Sequence, residues 1–189
     1  MCDNLAYQEP FYEELINGEF VMMSPAATNH NMIADNIHII FGTYLWRKKC
    51  VSFGDGEAVI LSPENRFIPD GMVVCDRNKI RADGVYGAPD LVVEVLSPST
   101  AKNDRRHKMK VYAESGVREY WIVDPANKTV EQYLQEDGQF VLHAVYAIYP
   151  DYMLGLMSET EKAAIVTEFQ CSLFDDLTIH LEDIFEGII

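Results

Sequence analysis

The run Leu91-Val92-Val93-Glu94-Val95-Leu96 is apolar and rich in β-branched residues, with one acid inside it. A run of this length without polar alternation reads as a strand buried on both faces, in the centre of a sheet. Glu94 then needs a partner, because an ionised carboxylate inside a sheet is strongly disfavoured unless a cation or good donors meet it. A metal ion with a nearby lysine would supply both. Ser97-Pro98 closes the strand, Ser99 or Thr100 can cap a helix, and Gly116 suits the position just past the last helical turn. Strand, helix and next strand follow in that order. Upstream, a second acid, Asp70, comes directly after Pro69 and just before the apolar run that ends at Cys75.

Composition sets the bounds. A chain of 189 residues with 48% hydrophobic content suits one domain, residues 1–189, with a substantial core. Fifteen basic residues against thirty acidic give a net charge of -15, which opposes undirected binding to a polyanion. The distribution softens this: Lys102, Arg105, Arg106, Lys108 and Lys110 cluster beside the Glu94 strand, whereas residues 151–189 carry nine acids and Lys162 alone. A local basic face on an acidic body is compatible with the sequence. Cys2, Cys50, Cys75 and Cys171 form no CxxC pair and no regular spacing, so neither a zinc site nor a disulfide framework is expected, and a reducing compartment fits. No basic segment leads into an apolar stretch at the start, and no run approaches a membrane span. A soluble cytoplasmic protein, with no membrane association, is the expectation.

Along the chain, Asn17-Gly18 between two apolar stretches predicts a hairpin over 12–24. A helix beginning near Thr28 is predicted from Ile33, Ile37, Ile40, Phe41, Tyr44 and Leu45, which recur at helical spacing. Residues 51–75 read as strands separated by turns at Gly54-Asp55-Gly56 and Pro63-Glu64-Asn65. Residues 118–124, 128–134 and 139–146 read as an antiparallel meander. Ser158-Glu-Thr-Glu161 resembles a capping box, and 177–181 alternates like an edge strand. Tyr120 and Trp121 read as packing residues rather than a base-stacking platform. A mixed sheet with helices on its faces, an α/β (α+β) architecture, accounts for these elements.

Taken together, Pro69-Asp70, Asp90-Leu-Val-Val-Glu94-Val-Leu-Ser-Pro-Ser-Thr100, the Asp104, Lys108, Tyr112 helix and Gly116-Val-Arg-Glu-Tyr-Trp-Ile-Val-Asp-Pro125 resemble the Uma-type restriction endonucleases. That family is a branch of the PD-(D/E)XK nuclease superfamily. The resemblance covers roughly residues 5–147 and is strongest over 88–125. It implies a restriction endonuclease-like fold and a metal-dependent endonuclease that hydrolyses DNA phosphodiester bonds with a metal-activated water. The superfamily lysine normally lies two residues after the second acid, where this chain has Leu96. The resemblance implies that Lys108, on the following helix, takes its place.

The site residues follow from both sources. Asp70 and Glu94 would share Mg²⁺ or Mn²⁺, with the Val95 carbonyl completing the protein side, since hard cations take oxygen ligands and keep water. Lys108 would orient or deprotonate the attacking water. Its spacing from Asp104 also fits an ordinary surface pair at i and i+4, and spacing alone does not decide. Asp104 is a possible support for Lys108, Tyr112 lies one turn further on and suits the core, and Glu19 is a third acid near the site. His30, at a position where the family tends to carry histidine, and Arg105 are possible substrate contacts. By analogy a homodimer is expected. Two readings compete with the nuclease: a nuclease-like fold kept as a binding or regulatory protein, and a nuclease specialised for damaged or structured nucleic acid.

Overall fold

Residues 13–189 are described by the structure, a computed structural model. Cys2 and the first residues of the family resemblance lie outside them. Asn17 and Gly18 both take positive φ, 53° and 79°, which gives the primed turn that matches strand twist. The turn joins β1 (Glu13–Ile16) to β2 (Glu19–Met22). Helix α1 (Thr28–Leu45) follows and buries Ile33, Ala34, Ile37, Phe41 and Leu45. Short strands come next: β3 (Val51–Gly54), β4 (Val59–Ser62), β5 (Asn65–Phe67), β6 (Gly71–Val74), β7 (Ile80–Arg81) and β8 (Gly84–Tyr86). The predicted central strand is β9 (Leu91–Val95), all five residues buried.

A helical crossover of three parts leads out of β9: α2 (Ala101–Asn103), a π turn (Asp104–Lys108) and α3 (Met109–Ser115). Thr100 takes the N-cap position, but its hydroxyl bonds Ser97 rather than the helix amides. Gly116 ends α3 at φ 99°, the left-handed conformation expected of it. The meander is β10 (Glu119–Asp124), β11 (Thr129–Glu136) and β12 (Gln139–Ala147). Beyond it lie α4 (Asp151–Leu154) and α5 (Glu159–Ala163), the latter with its Ser158/Glu161 capping box. The chain closes with β13 (Glu168–Gln170), β14 (Thr178–His180) and α6 (Leu181–Ile184).

The strands divide into two six-stranded sheets, not one, plus a small β13-β14 pair. One sheet runs β12-β11-β10-β9-β6-β3, with β9 central, parallel to β10 and antiparallel to β6. The other runs β2-β1-β5-β4-β8-β7. They are linked through Ile68–Asp70, between β5 of one and β6 of the other. On one face of the central sheet, Val73, Leu91, Val93, Trp121 and Val123 pack with α1 and the C-terminal segment. On the opposite face, Met72, Val92, Tyr120 and Ile122 pack with Phe67, Val85 and Tyr112. Tyr120 and Trp121 are therefore core residues, as their alternation predicts.

Cys50 and Cys75 form a disulfide, against the expectation of no such pairing. Val51 lies opposite Val74 in the β3-β6 ladder, so the two cysteines occupy the next rung out. The pairing follows from sheet register, which spacing along the chain does not reveal.

Glu119 shows how the C-terminal segment is attached. This fully buried carboxylate accepts hydrogen bonds from Trp121 Nε1 at 2.6 Å, Gln132 Nε2 at 2.7 Å and the Ser172 N–H at 2.8 Å. It thereby fastens residues 169–172 against β10 and β11. An unsatisfied buried donor costs about 1–3 kcal/mol. Glu119→Ala is expected to lose roughly 3 kcal/mol of stability in urea unfolding and to make the segment after residue 150 protease-sensitive. A loss below about 1 kcal/mol would show that the clasp is dispensable.

Candidate active site

Six elements converge where the two sheets meet. Asp70 precedes β6, and Gly71 pairs with Val93, so Asp70 falls beside Glu94 at the end of that ladder. Its Oδ2 accepts the Val95 N–H at 2.6 Å, replacing the rung that β6 is too short to provide. The same oxygen lies 3.3 Å from His30 Nε2 on α1. Glu94 points to the other face, where Tyr112 donates its hydroxyl to Oε1 at 2.9 Å and Lys108 Nζ lies 3.2 Å away.

Lys108 is 2% exposed and has two further acid neighbours, Glu14 at 2.8 Å and Asp104 at 3.5 Å. A surface ion pair between Asp104 and Lys108 is thereby excluded, since both are buried. The π turn makes this possible. Over the eight residues from Asp104 to Tyr112 a regular α-helix would drift by about 80°. The wider turn unwinds the helix and offsets that drift, so Asp104, Lys108 and Tyr112 all face inward. Tyr120 donates its hydroxyl to the Asp104 carbonyl at 3.0 Å, supporting the irregular backbone.

Glu14 belongs to this cluster and was not foreseen. Its Oε1 also accepts the Ile68 N–H at 2.9 Å, so one carboxylate joins β1, the inter-sheet link and the lysine. Its signal was an acid on the same strand face as Ile16, which packs into the core. Glu19, the acid chosen from the hairpin, is exposed in β2. Arg105 is directed to Glu131 by paired contacts of 2.7 Å, leaving it outside the cluster.

Three buried carboxylates, Glu14, Glu94 and Asp104, thus face one buried ammonium, and a fourth, Asp70, is buried on the α1 side of β9. Burial pushes Glu94 well above the usual carboxylate range, Lys108 opposes this, and the neighbouring acids add to it. Burial also raises Asp104, again opposed by Lys108. For Lys108, burial acts to lower the pKa, but Glu94, Glu14 and Asp104 outweigh it and the ammonium is held charged. His30 behaves alike: burial lowers it, Asp70 outweighs burial, and the net shift is upward.

A divalent cation suits this donor set in charge and in hardness. Both Asp104 carboxylate oxygens lack a hydrogen-bond partner, and negative charge is in excess. Among the described residues, no three His, Cys, Asp or Glu side chains are grouped so as to hold a metal ion between them, so any ion here would have at most two such ligands. An open set of few protein ligands is what Mg²⁺ commonly uses.

The fold agrees with what the chain is similar to. The sequence model of the Uma2 family, described as a putative restriction endonuclease, matches residues 2–154. The chain belongs to that family. Two proteins of Synechocystis sp., uncharacterized proteins slr1290 and sll1609, are each 29% identical to it, over 132 and 134 residues. The matches cover 68% of this chain, with 70% of the first relative and 76% of the second. A crystal structure of a putative nuclease belonging to DUF820, from Anabaena variabilis, superposes with a TM-score of 0.68 at 18% identity. It spans 92% of this chain and 89% of that one, which establishes a shared fold. Among the described residues no helix is long and apolar enough to cross a membrane.

Two outcomes are expected of the cluster. Glu94 holds its proton more tightly when folded, so its ionisation costs stability as pH rises from the unfolded value near 4.5 towards the raised folded one. Glu94→Gln keeps an acceptor for Tyr112 and Lys108 while removing that cost. Its stability advantage over the unsubstituted protein should widen with pH across that window in the absence of metal. Parallel stability curves would contradict the account. Inserting one alanine after the exposed Arg106 should add about 100° of rotation and carry Lys108 off the inward face. A large fall in thermal midpoint is expected for the insertion and little change for Arg106→Ala.

Proposed function

We propose that the chain is a metal-dependent endonuclease that hydrolyses DNA phosphodiester bonds. The observation that carries this reading is the buried Lys108 ammonium, held within 3.5 Å of three carboxylates beside the Asp70–Val95 contact. Asp70, Glu94 and the Val95 carbonyl would hold Mg²⁺ or Mn²⁺. When bound, such an ion supplies a Lewis acid for a phosphoryl oxygen and acidifies water. The remaining work falls to side chains of the chain. Lys108 stays charged, so it acts as a donor that orients the nucleophile and stabilises negative charge on the phosphoryl oxygens, rather than as a base. Glu14 and Asp104 fix the ammonium in place. Tyr112 sets the orientation of Glu94, and His30 that of Asp70. A homodimer, presenting two such sites to two strands, belongs to the same reading by analogy with two-fold nucleases.

A second reading has an observation of its own. Net charge is -15, and part of the basic cluster is engaged, Arg105 by Glu131 and Lys110 by Glu114. These features favour a nuclease-like fold that binds a protein partner and avoids nucleic acid. DNA retention separates the two: the nuclease should bind at low salt and release as salt rises, and the binding protein should not bind at all.

Catalysis is tested with Mn²⁺ and mixed DNA substrates, including nicked and branched forms. Glu94→Gln, folded by thermal scan, and Lys108→Met, whose midpoint falls because three buried carboxylates lose their shared cation, are each expected to lower cleavage by about 10²-fold or more below both midpoints. Calorimetry should show Mn²⁺ binding that releases protons and is lost in Glu94→Gln. Full cleavage by folded Lys108→Met would remove the lysine from the mechanism.

A further inference from the structure

At the far end of α1 from the cluster, the chain turns sharply through Trp46, Arg47, Lys48 and Lys49. The Lys48 N–H donates to the Leu45 carbonyl at 2.8 Å, Trp46 has φ -54° and ψ 120°, and Arg47 has φ 61°. This is a type II turn, whose third position ordinarily takes glycine or asparagine. An arginine held there in the left-handed region is strained, and strain of this kind points to a use.

The turn is fastened from the end of β6. Cys50, directly after it, is bonded to Cys75, and Arg77 donates to the Lys49 carbonyl at 2.9 Å and to the Lys48 carbonyl at 3.3 Å. Four exposed cations, Arg47, Lys48, Lys49 and Arg77, are thereby gathered in one place. Among the described residues none of the four is in an ion pair, unlike Arg105 and Lys110. No acid occurs between Asp35 and Asp55 in a chain that has thirty. Two acids come near and both are engaged: Asp76 accepts the Asn78 N–H at 3.1 Å and Asn78 Nδ2 at 3.0 Å, and Asp176 accepts the Tyr44 hydroxyl. The C-terminal end of the helix dipole answers only about half a charge. In the same turn Trp46 is 75% exposed.

We propose that this turn is a nucleic-acid-binding surface, on which Trp46 stacks against an unpaired base while Arg47, Lys48 and Lys49 meet the phosphates on either side. Aromatic stacking beside basic side chains is how single strands are held without regard to sequence. The inference rests on the nuclease reading and gives it a substrate class, a nucleic acid with a single-stranded flank. Helix α1 joins the surface to the site. From His30, which contacts Asp70, to Trp46 the helix spans about 24 Å, roughly seven nucleotides at 3.4 Å each. Asp35 is the one acid on that stretch, so the path is not closed by the overall negative charge.

The test uses the metal-free full chain. Its two tryptophans are Trp46 and the buried Trp121, so quenching of the exposed indole reports contact at the turn. Oligothymidylate should quench this emission at low salt and release as salt rises, and a duplex of the same length should bind more weakly. By anisotropy of the labelled strand, Trp46→Ala should weaken binding by at least about fivefold. Arg47→Gly suits the turn better than arginine, so it should keep or raise the thermal midpoint while lowering both affinity and its salt dependence. No quenching, or unchanged affinity in both variants, overturns the surface. Equal affinity for duplex and single strand overturns the stacking role, and quenching by anionic lipid vesicles but not by the strand overturns nucleic acid in favour of a lipid surface. Cleavage assayed separately keeps the two ideas distinct. Mn²⁺-dependent cleavage without binding at the turn removes the surface and leaves the nuclease, whereas Trp46-dependent binding without any cleavage removes the nuclease and leaves the surface.

Discussion

One buried ammonium holds the arrangement together. Lys108 is contacted by Glu14 from the hairpin sheet, Glu94 from the central sheet and Asp104 from its own π turn. Each carboxylate taken alone would be costly to bury, and each becomes tolerable because the lysine is shared. The converse also holds: without the acids, burial would drive the ammonium to give up its proton. The contact between the two sheets at this point is therefore electrostatic, while the apolar clusters on either face of the central sheet supply the bulk of the burial.

Much of this was readable because local chemistry and final position coincide. Glu94 interrupts an apolar strand and is indeed buried at 3% exposure. The Asn17-Gly18 turn, the α1 stripe, Gly116 and the 119–147 meander each carry a short-range signal with a definite backbone meaning. What escaped was decided by long-range pairing. Strands β7 and β8 are two and three residues long, too short to show a period, so the division into two sheets left no trace in the pattern. Cys50 and Cys75 meet through the β3-β6 register. The π turn has no sequence signature, yet it turns a residue spacing that suits a surface pair into a buried one.

The choice between Glu14 and Glu19 is the most instructive miss. Both acids lie in one hairpin, and proximity to the turn does not distinguish them. Face does: Glu14 shares the inward side of β1 with Ile16, whereas Glu19 stands on β2, whose residues are exposed throughout. A period-two reading of the hairpin contains the answer, but only once it is known which side of it is covered.

The Asp70 carboxylate stands in for a missing rung by accepting the Val95 N–H. Backbone pairing and ligand chemistry therefore draw on one carboxylate, the first through Oδ2 and the second with Oδ1 still to offer. Occupancy of the site would polarise the last rung of the sheet and be felt as a change in amide exchange at Val95.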